Sequence, residues 1–282
     1  METSFRAIPS IEQLVRAILS ETKIVNPPTN PELLAEYFNL EIDYFDDHQK
    51  YGLNPKIKAF LWPERRLIGV YNRLIKSQKI FSILHEVGHF VLHCGDASLF
   101  QNGKFVDSGE NLSGIVTSPK KGVVREEIEA NQFAADCLFQ LDNFDRFINI
   151  NEANWSNIRI AADQYNASIE ATARRWVEKS QEKISLVTFS PTHRNRLGSP
   201  LKILYTITSQ TFKNDYFTRL DSDQELSLDS PIYRFFYRLE YFGEVLELII
   251  RIQNSGQTPT SYNAILFSNS YRVFALLNPI EP

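Results

Sequence analysis

Cysteine is scarce in this chain, and the scarcity excludes two classes of protein. Only Cys94 and Cys137 occur in 282 residues. Two thiols do not make a disulfide scaffold, and neither has the paired spacing of a structural zinc site, so a reducing, cytoplasmic setting is the simplest expectation. A bridge between the two remains open at this level. The start, Met1-Glu2-Thr3-Ser4-Phe5-Arg6, lacks a basic segment followed by an apolar core, so no secretory signal is read there. No apolar run is long enough to span a membrane. Charge of one sign is missing too: the formal net charge is -4, with lysine and arginine dispersed, and nothing calls for nucleic acid or an anionic membrane as partner. Repeats and low-complexity tracts are absent. What remains is an ordinary globular composition, 43% hydrophobic, in a chain long enough for two or three domains.

The chain is expected to be α+β, in three parts. Residues 1–145 begin with an amphipathic helix from Ile11 to Leu19, broken by Pro27-Pro28-Thr29-Asn30-Pro31, and a second from Glu32 to Phe38. Strand patterns follow at Leu40 to Phe45, Ile57 to Leu61 and Leu67 to Tyr71. Residues 150–182 contain two short helices, Ile158 to Tyr165 and Ile169 to Glu178, separated by Asn166-Ala167-Ser168, in a helix-turn-helix-like arrangement. Residues 184–282 turn β-rich, with strands expected at Ile184 to Phe189, Ile203 to Thr208, Tyr233 to Tyr241, Glu247 to Ile252 and Ala264 to Phe267. No nucleophile, phosphate loop or metal cluster is found in that last part, so recognition, regulation or oligomerisation is expected of it. The polar stretch from Cys94 to Gly122 either borders a functional site or spaces two helices.

Five histidines are present, and two of them decide the chemistry. His85-Glu86-Val87-Gly88-His89 lies in an apolar run whose Phe81, Ile83, Leu84, Val87, Phe90, Val91 and Leu92 mark a mostly buried helix. Residues four apart share a helix face, so both imidazoles can reach one ion. Glu86, beside the first, is placed as general base for a water whose pKa zinc lowers to about 7. A polar trio in such a helix is costly unless paired or metal-bound, which argues against a chance match. A third ligand must come from elsewhere. The candidate helix is Arg125 to Leu138, where Glu127, Asn131, Ala134 and Leu138 form one stripe. Glu127 is the expected ligand, and Asn131 is placed to hydrogen-bond a ligating histidine. Glu126 and Glu129 are assigned to a solvated acidic first turn.

His93 shares the face of His89 but stands about 12 Å along the helix from His85, too far for all three to bind one ion. It is expected to be a buried, hydrogen-bonded residue or, with Tyr71, part of a pocket rim. His48 and His193 sit in polar, turn-rich stretches and are expected at the surface. Zinc is the preferred ion, although manganese or iron accept the same ligands. Arg174, Arg175 and Lys179 could meet DNA phosphate through residues 158–179, but a solvated face is the simpler reading.

Four elements occur in an order that resembles the ImmA/IrrE metallopeptidases: Pro27-Pro28, Val70-Tyr71-Asn72, Phe81 to His93, and Glu127-Ile128-Glu129-Ala130-Asn131-Gln132-Phe133-Ala134. The resemblance covers roughly the first half of the chain. It implies a compact zincin domain in which His85, His89 and Glu127 hold zinc and Glu86 is the base. It also implies a protein substrate, a helix-turn-helix repressor whose cleavage releases genes in a stress or mobile-element response. Two departures stand out. Cys137-Leu138-Phe139-Gln140 replaces the family's Leu-Leu-Met-Pro, and the β-rich tail lacks the helix-strand alternation of the sensor domain in radiation-response members.

The leading expectation is therefore a zinc endopeptidase of narrow specificity. The alternative is a DNA- or protein-binding transcription regulator with a non-catalytic metal domain. A third possibility is a toxin-antitoxin or phage-associated partner that uses the metal domain for binding only.

Overall fold

A reciprocal cap opens the described chain: the Ser10 hydroxyl accepts from the Gln13 backbone and the Gln13 side chain accepts from the Ser10 backbone, starting helix α1, Ile11–Glu21. In the computed structural model the described residues are 10–94, 105–107, 121–193, 198–215, 226, 230–237, 245–252, 260–269 and 271–280. Contacts divide the chain into two compact units, Met1–Phe147 with Ala162–Ser168, and Ile148–Ala161 with Ile169–Pro282. The segment 150–182 is thus shared between them.

In the first unit, Asn30 caps α2 (Pro31–Tyr37), with Pro31 supplying a preset φ in the first turn. Strands β1 (Glu41–Phe45), β2 (Ala59–Trp62), β3 (Leu67–Tyr71) and β4 (Phe105–Asp107) form a mixed sheet in the order β1-β3-β2-β4, with β1 parallel to β3. Phe60 faces Gly69 across the β2–β3 register, and its ring fills the space a side chain at Gly69 would need. Helix α3 (Lys76–His93) packs on β2 and β3, and α4 (Lys121–Phe139) packs on α3. Apart from β4 and the start of α4, the stretch between Cys94 and Gly122 lies outside the described residues.

No proline stops α4. Gln140 and Leu141 do so by taking left-handed conformations in succession, with φ of 51° and 44°. The buried end of the helix is met by the segment that follows Pro27-Pro28, where the Thr29 hydroxyl donates to the Cys137 carbonyl at 2.7 Å. The Gln140 amide in turn donates to Thr29 Oγ1 at 3.0 Å and to the Asn26 carbonyl at 2.9 Å. One surface assignment is corrected here. A short 3-10 turn, His48–Tyr51, folds His48 inward beside Phe45 and Tyr71, with Nε2 2.9 Å from the Ile57 carbonyl. His193 is exposed.

Helix α5 (Asp142–Ile150) begins in the first unit, where Phe144 stacks against Phe139 and Tyr165. Helices α6 (Trp155–Gln164) and α7 (Ile169–Lys179) follow. The second unit is built on an antiparallel sheet of β5 (Ser185–Pro191), β6 (Leu201–Thr208), β7 (Val245–Ile252), β8 (Thr260–Ser268) and β9 (Val273–Pro279), in the order β6-β5-β9-β8-β7. Two short helices, α8 (Gln210–Asp215) and α9 (Pro231–Tyr237), place Phe212, Ile232 and Phe235 in the core with Leu201, Ala264, Leu266 and Leu277.

Helix α9 replaces the strand expected from Tyr233. Its aromatics suggest β structure, but Pro231 favours a first helical turn and Ile232 and Phe235 are buried at a spacing of three. Val273–Pro279 has no polar alternation to announce it, because β9 is central and its residues Val273 to Leu277 are buried on both faces. Helix α7 serves this sheet: Thr172, Ala173, Arg175, Trp176 and Val177 are buried, and the Arg174 guanidinium lies over the Tyr205 ring at 5.1 Å. No described helix is long and apolar enough to cross a membrane.

Candidate metal centre

The site depends on how closely α3 and α4 approach. A Cβ on Gly88 would meet Phe133 Cδ1 at 3.1 Å and the Ala130 carbonyl and Cα at 3.2 and 3.3 Å, so the glycine and the alanine set the spacing. Ala130 and Ala134 are fully buried. Across this seam, His85 and His89 project from successive turns of α3, and Glu127 reaches them from α4.

Their Nε2 atoms are 3.0 Å apart, His85 Nε2 is 3.4 Å from Glu127 Oε2, and His89 Nε2 is 3.4 Å from Glu127 Oε1. Among the described residues this trio is the one group of three whose ligand atoms converge, all within 4.8 Å of one another. A tetrahedral ion with bonds of about 2.1 Å holds its ligand atoms about 3.4 Å apart, so the donor set fits a zinc-sized cation in both chemistry and spacing.

Electrostatics favour the same ionisation state. Burial, opposed by Glu127 and reinforced by His85, pushes His89 down to about 4, leaving a neutral imidazole at ordinary pH. Burial alone would raise the Glu127 carboxyl, but hydrogen bonding and charge interaction with His85 and His89 outweigh it and hold it well below the usual carboxylate range. Neutral imidazole and ionised carboxylate are the forms in which these side chains bind a metal.

Glu86, adjacent to His85, is 0% exposed. His93 is buried one turn beyond His89, with its Nδ1 3.3 Å from His89 Nδ1 and its Nε2 3.1 Å from Glu129 Oε2. Glu129 was assigned to a solvated first turn, and the structure corrects this: α4 begins at Lys121, which places Glu129 in its interior, turned to His93 and Arg125. The pairing of His93 with Glu129 had no signal in the sequence beyond the fourfold spacing from His89. Asn131 is half-buried one turn after Glu127, and the described partner of the second nitrogen of His89 is His93. Tyr71 packs against His48 and Phe45, at ring distances of 4.5 and 5.8 Å. Cys94, exposed beyond the end of α3, and Cys137, buried in α4, are both free thiols.

No curated protein matches the chain. Among solved structures, a Mycobacterium tuberculosis transcriptional regulator superposes with a TM-score of 0.59 at 13% identity, covering 95% of this chain and 75% of that one. At that identity the likeness speaks to fold alone. The model of the IrrE N-terminal-like domain, peptidase family M78, matches residues 35–177, a span that contains both helices of the candidate centre. With half of its length matched, including the histidine pair and the helix that faces it, the chain belongs to this metallopeptidase-type family.

Proposed function

We propose that the protein is a zinc-dependent endopeptidase of narrow specificity, acting on a helix-turn-helix repressor in a stress or mobile-element response. The observation that carries the enzymatic part is the convergence of His85, His89 and Glu127 beside a completely buried Glu86. The substrate class comes from the family resemblance.

In this reading His85, His89 and Glu127 would hold the metal, with Asn131 supporting a ligand. Zinc, when bound, supplies Lewis acidity that polarises the scissile carbonyl and makes water acidic enough to give up a proton near neutrality. The Glu86 carboxylate would accept a proton from the attacking water and pass it to the leaving amide nitrogen. Neutral His89 and ionised Glu127 are ready for a cation without first losing protons. Manganese or iron would be accepted by the same donors.

The alternative, a transcription regulator with a non-catalytic metal domain, draws support from the name of the Mycobacterium tuberculosis structure. Helix α7 weakens it, since Arg175 is buried and Arg174 covers Tyr205, leaving little of the basic face that phosphate contact needs.

Elemental analysis of the purified chain beside His85→Ala, followed by incubation of wild type and Glu86→Gln with a helix-turn-helix repressor encoded nearby, tests the proposal. About one zinc per chain, lost in His85→Ala, is expected. Glu86→Gln should keep the metal and lose cleavage by about 10²- to 10⁴-fold. A wild-type chain that takes up no metal when zinc is supplied would sink the enzymatic reading.

A further inference from the structure

Strand β7 ends the C-terminal sheet without the proline, lysine or bulge that commonly blunts an edge. Its eight residues, Val245–Ile252, pair with β8 in one uninterrupted register, and among the described residues no strand pairs with its other side. The strand is apolar apart from Glu247 and Arg251. On the face turned from the core, Val245 is 45% and Ile249 67% exposed. On the core face Leu246, Leu248 and Ile250 are only half-buried. A long apolar edge of this kind is a template for another strand.

The neighbouring ladder shows which backbone groups are open. Asn269 N donates to the Arg272 carbonyl at 3.0 Å and Ile280 N to the Ser261 carbonyl at 2.9 Å, so the odd-numbered residues of β8 turn their backbone toward β9. The even-numbered ones turn toward β7, where the register sets them against Leu246, Leu248, Ile250 and Ile252. The backbone N–H and C=O groups of Val245, Glu247, Ile249 and Arg251 therefore point to the open edge.

A second copy of the strand complements that edge. A two-fold axis perpendicular to the sheet sets two β7 strands antiparallel and keeps both apolar cores on the same face. With the axis at Ile249, Glu247 of one protomer takes the register position opposite Arg251 of the other, and Leu248 the position opposite Ile250. Residues whose backbone points outward then meet one another, as the hydrogen-bonded rungs of an antiparallel ladder require. An axis at 247 or 251 would instead set like charges opposite each other, and one at 248 or 250 would part the unlike ones.

We propose that the protein forms a homodimer by antiparallel pairing of β7 with β7 about Ile249, joining two five-stranded sheets into one. Apolar positions on both faces of the strand supply the adhesion, and the exchange of Glu247 with Arg251 selects the register. The pairing uses residues of the second unit alone and is independent of the zinc reading. It gives the C-terminal sheet a role in assembly.

Sedimentation velocity of the full chain over a range of concentrations tests this, with circular dichroism to verify folding. Wild type should sediment as a dimer. Ile249→Lys brings two like charges together at the axis and should leave a folded monomer. Glu247→Arg and Arg251→Glu each set like charges opposite and should weaken dimerisation by about tenfold or more, and the double variant, which exchanges the two, should restore it.

A wild-type chain that stays monomeric up to its solubility limit would overturn the proposal and leave the edge to a strand of another protein. A dimer that survives Ile249→Lys would overturn it by placing the interface elsewhere. If Ile249→Lys does not fold, the charge reversals decide: single variants that dimerise as wild type does, or a double variant no better than either, would overturn this pairing.

Discussion

The interior between α3 and α4 and the interior of the C-terminal sheet are built from opposite materials. The first buries His85, Glu86, His89 and His93 in a seam narrow enough to require Gly88 and Ala130. The second buries Leu201, Phe212, Phe235, Leu266 and Leu277 in a continuous apolar cluster. Removing charged and imidazole groups from water costs several kcal/mol unless they are paired, whereas each buried aliphatic side chain contributes roughly 1.5–3 kcal/mol. The helix seam therefore gives up stability to keep its polar groups together, and the sheet core supplies stability.

The largest break in that contrast is expected from Glu127→Ala. Two imidazoles without the carboxylate are one protein ligand short of a zinc site, so metal should be lost from the purified chain, while circular dichroism should show the fold retained. Full occupancy in this variant would mean that another carboxylate on α4 is the third ligand. Glu126 is then the first candidate, because Glu129 is engaged by His93 and Arg125.

Leu266→Ala is the converse experiment in the second unit. Leu266 is fully buried among β-sheet and α9 side chains, and truncation should lower stability by about 2–5 kcal/mol, read as a fall in the denaturation midpoint. Zinc stoichiometry in the folded protein should stay at the wild-type value. Loss of metal from a folded Leu266→Ala chain would show that the division of labour is wrong.

The two regions also differed in how legible they were. That His85 and His89 share one face could be read because helical periodicity is local: four residues make about one turn wherever the helix lies. Glu127 could be selected because the alanines around it announce a close packing face. The partnership of Glu129 with His93 could not be read, since it joins residues 36 apart and depends on where α4 begins. Starting that helix four residues late turned an interior glutamate into an apparent first-turn one. His48 was hidden for a similar reason, as a polar local sequence gave no hint that a 3-10 turn would tuck the ring beside Phe45. In the sheet, alternation marks strands with one wet face, so β9, dry on both, went unannounced, and the aromatics of α9 imitated a strand.

Gly88→Ala probes the seam with a single methyl group. An alanine in mid-helix gains about 1 kcal/mol in propensity over glycine, but the added Cβ meets the Ala130 backbone at 3.2 Å, and backbone yields poorly. Overpacking of this kind costs about 1–3 kcal/mol, so a small net destabilisation is expected. Glu127 lies on the helix that would be displaced, so zinc affinity should fall by more than the loss of stability alone would suggest. A variant that melts higher and binds zinc normally would show that the seam has slack.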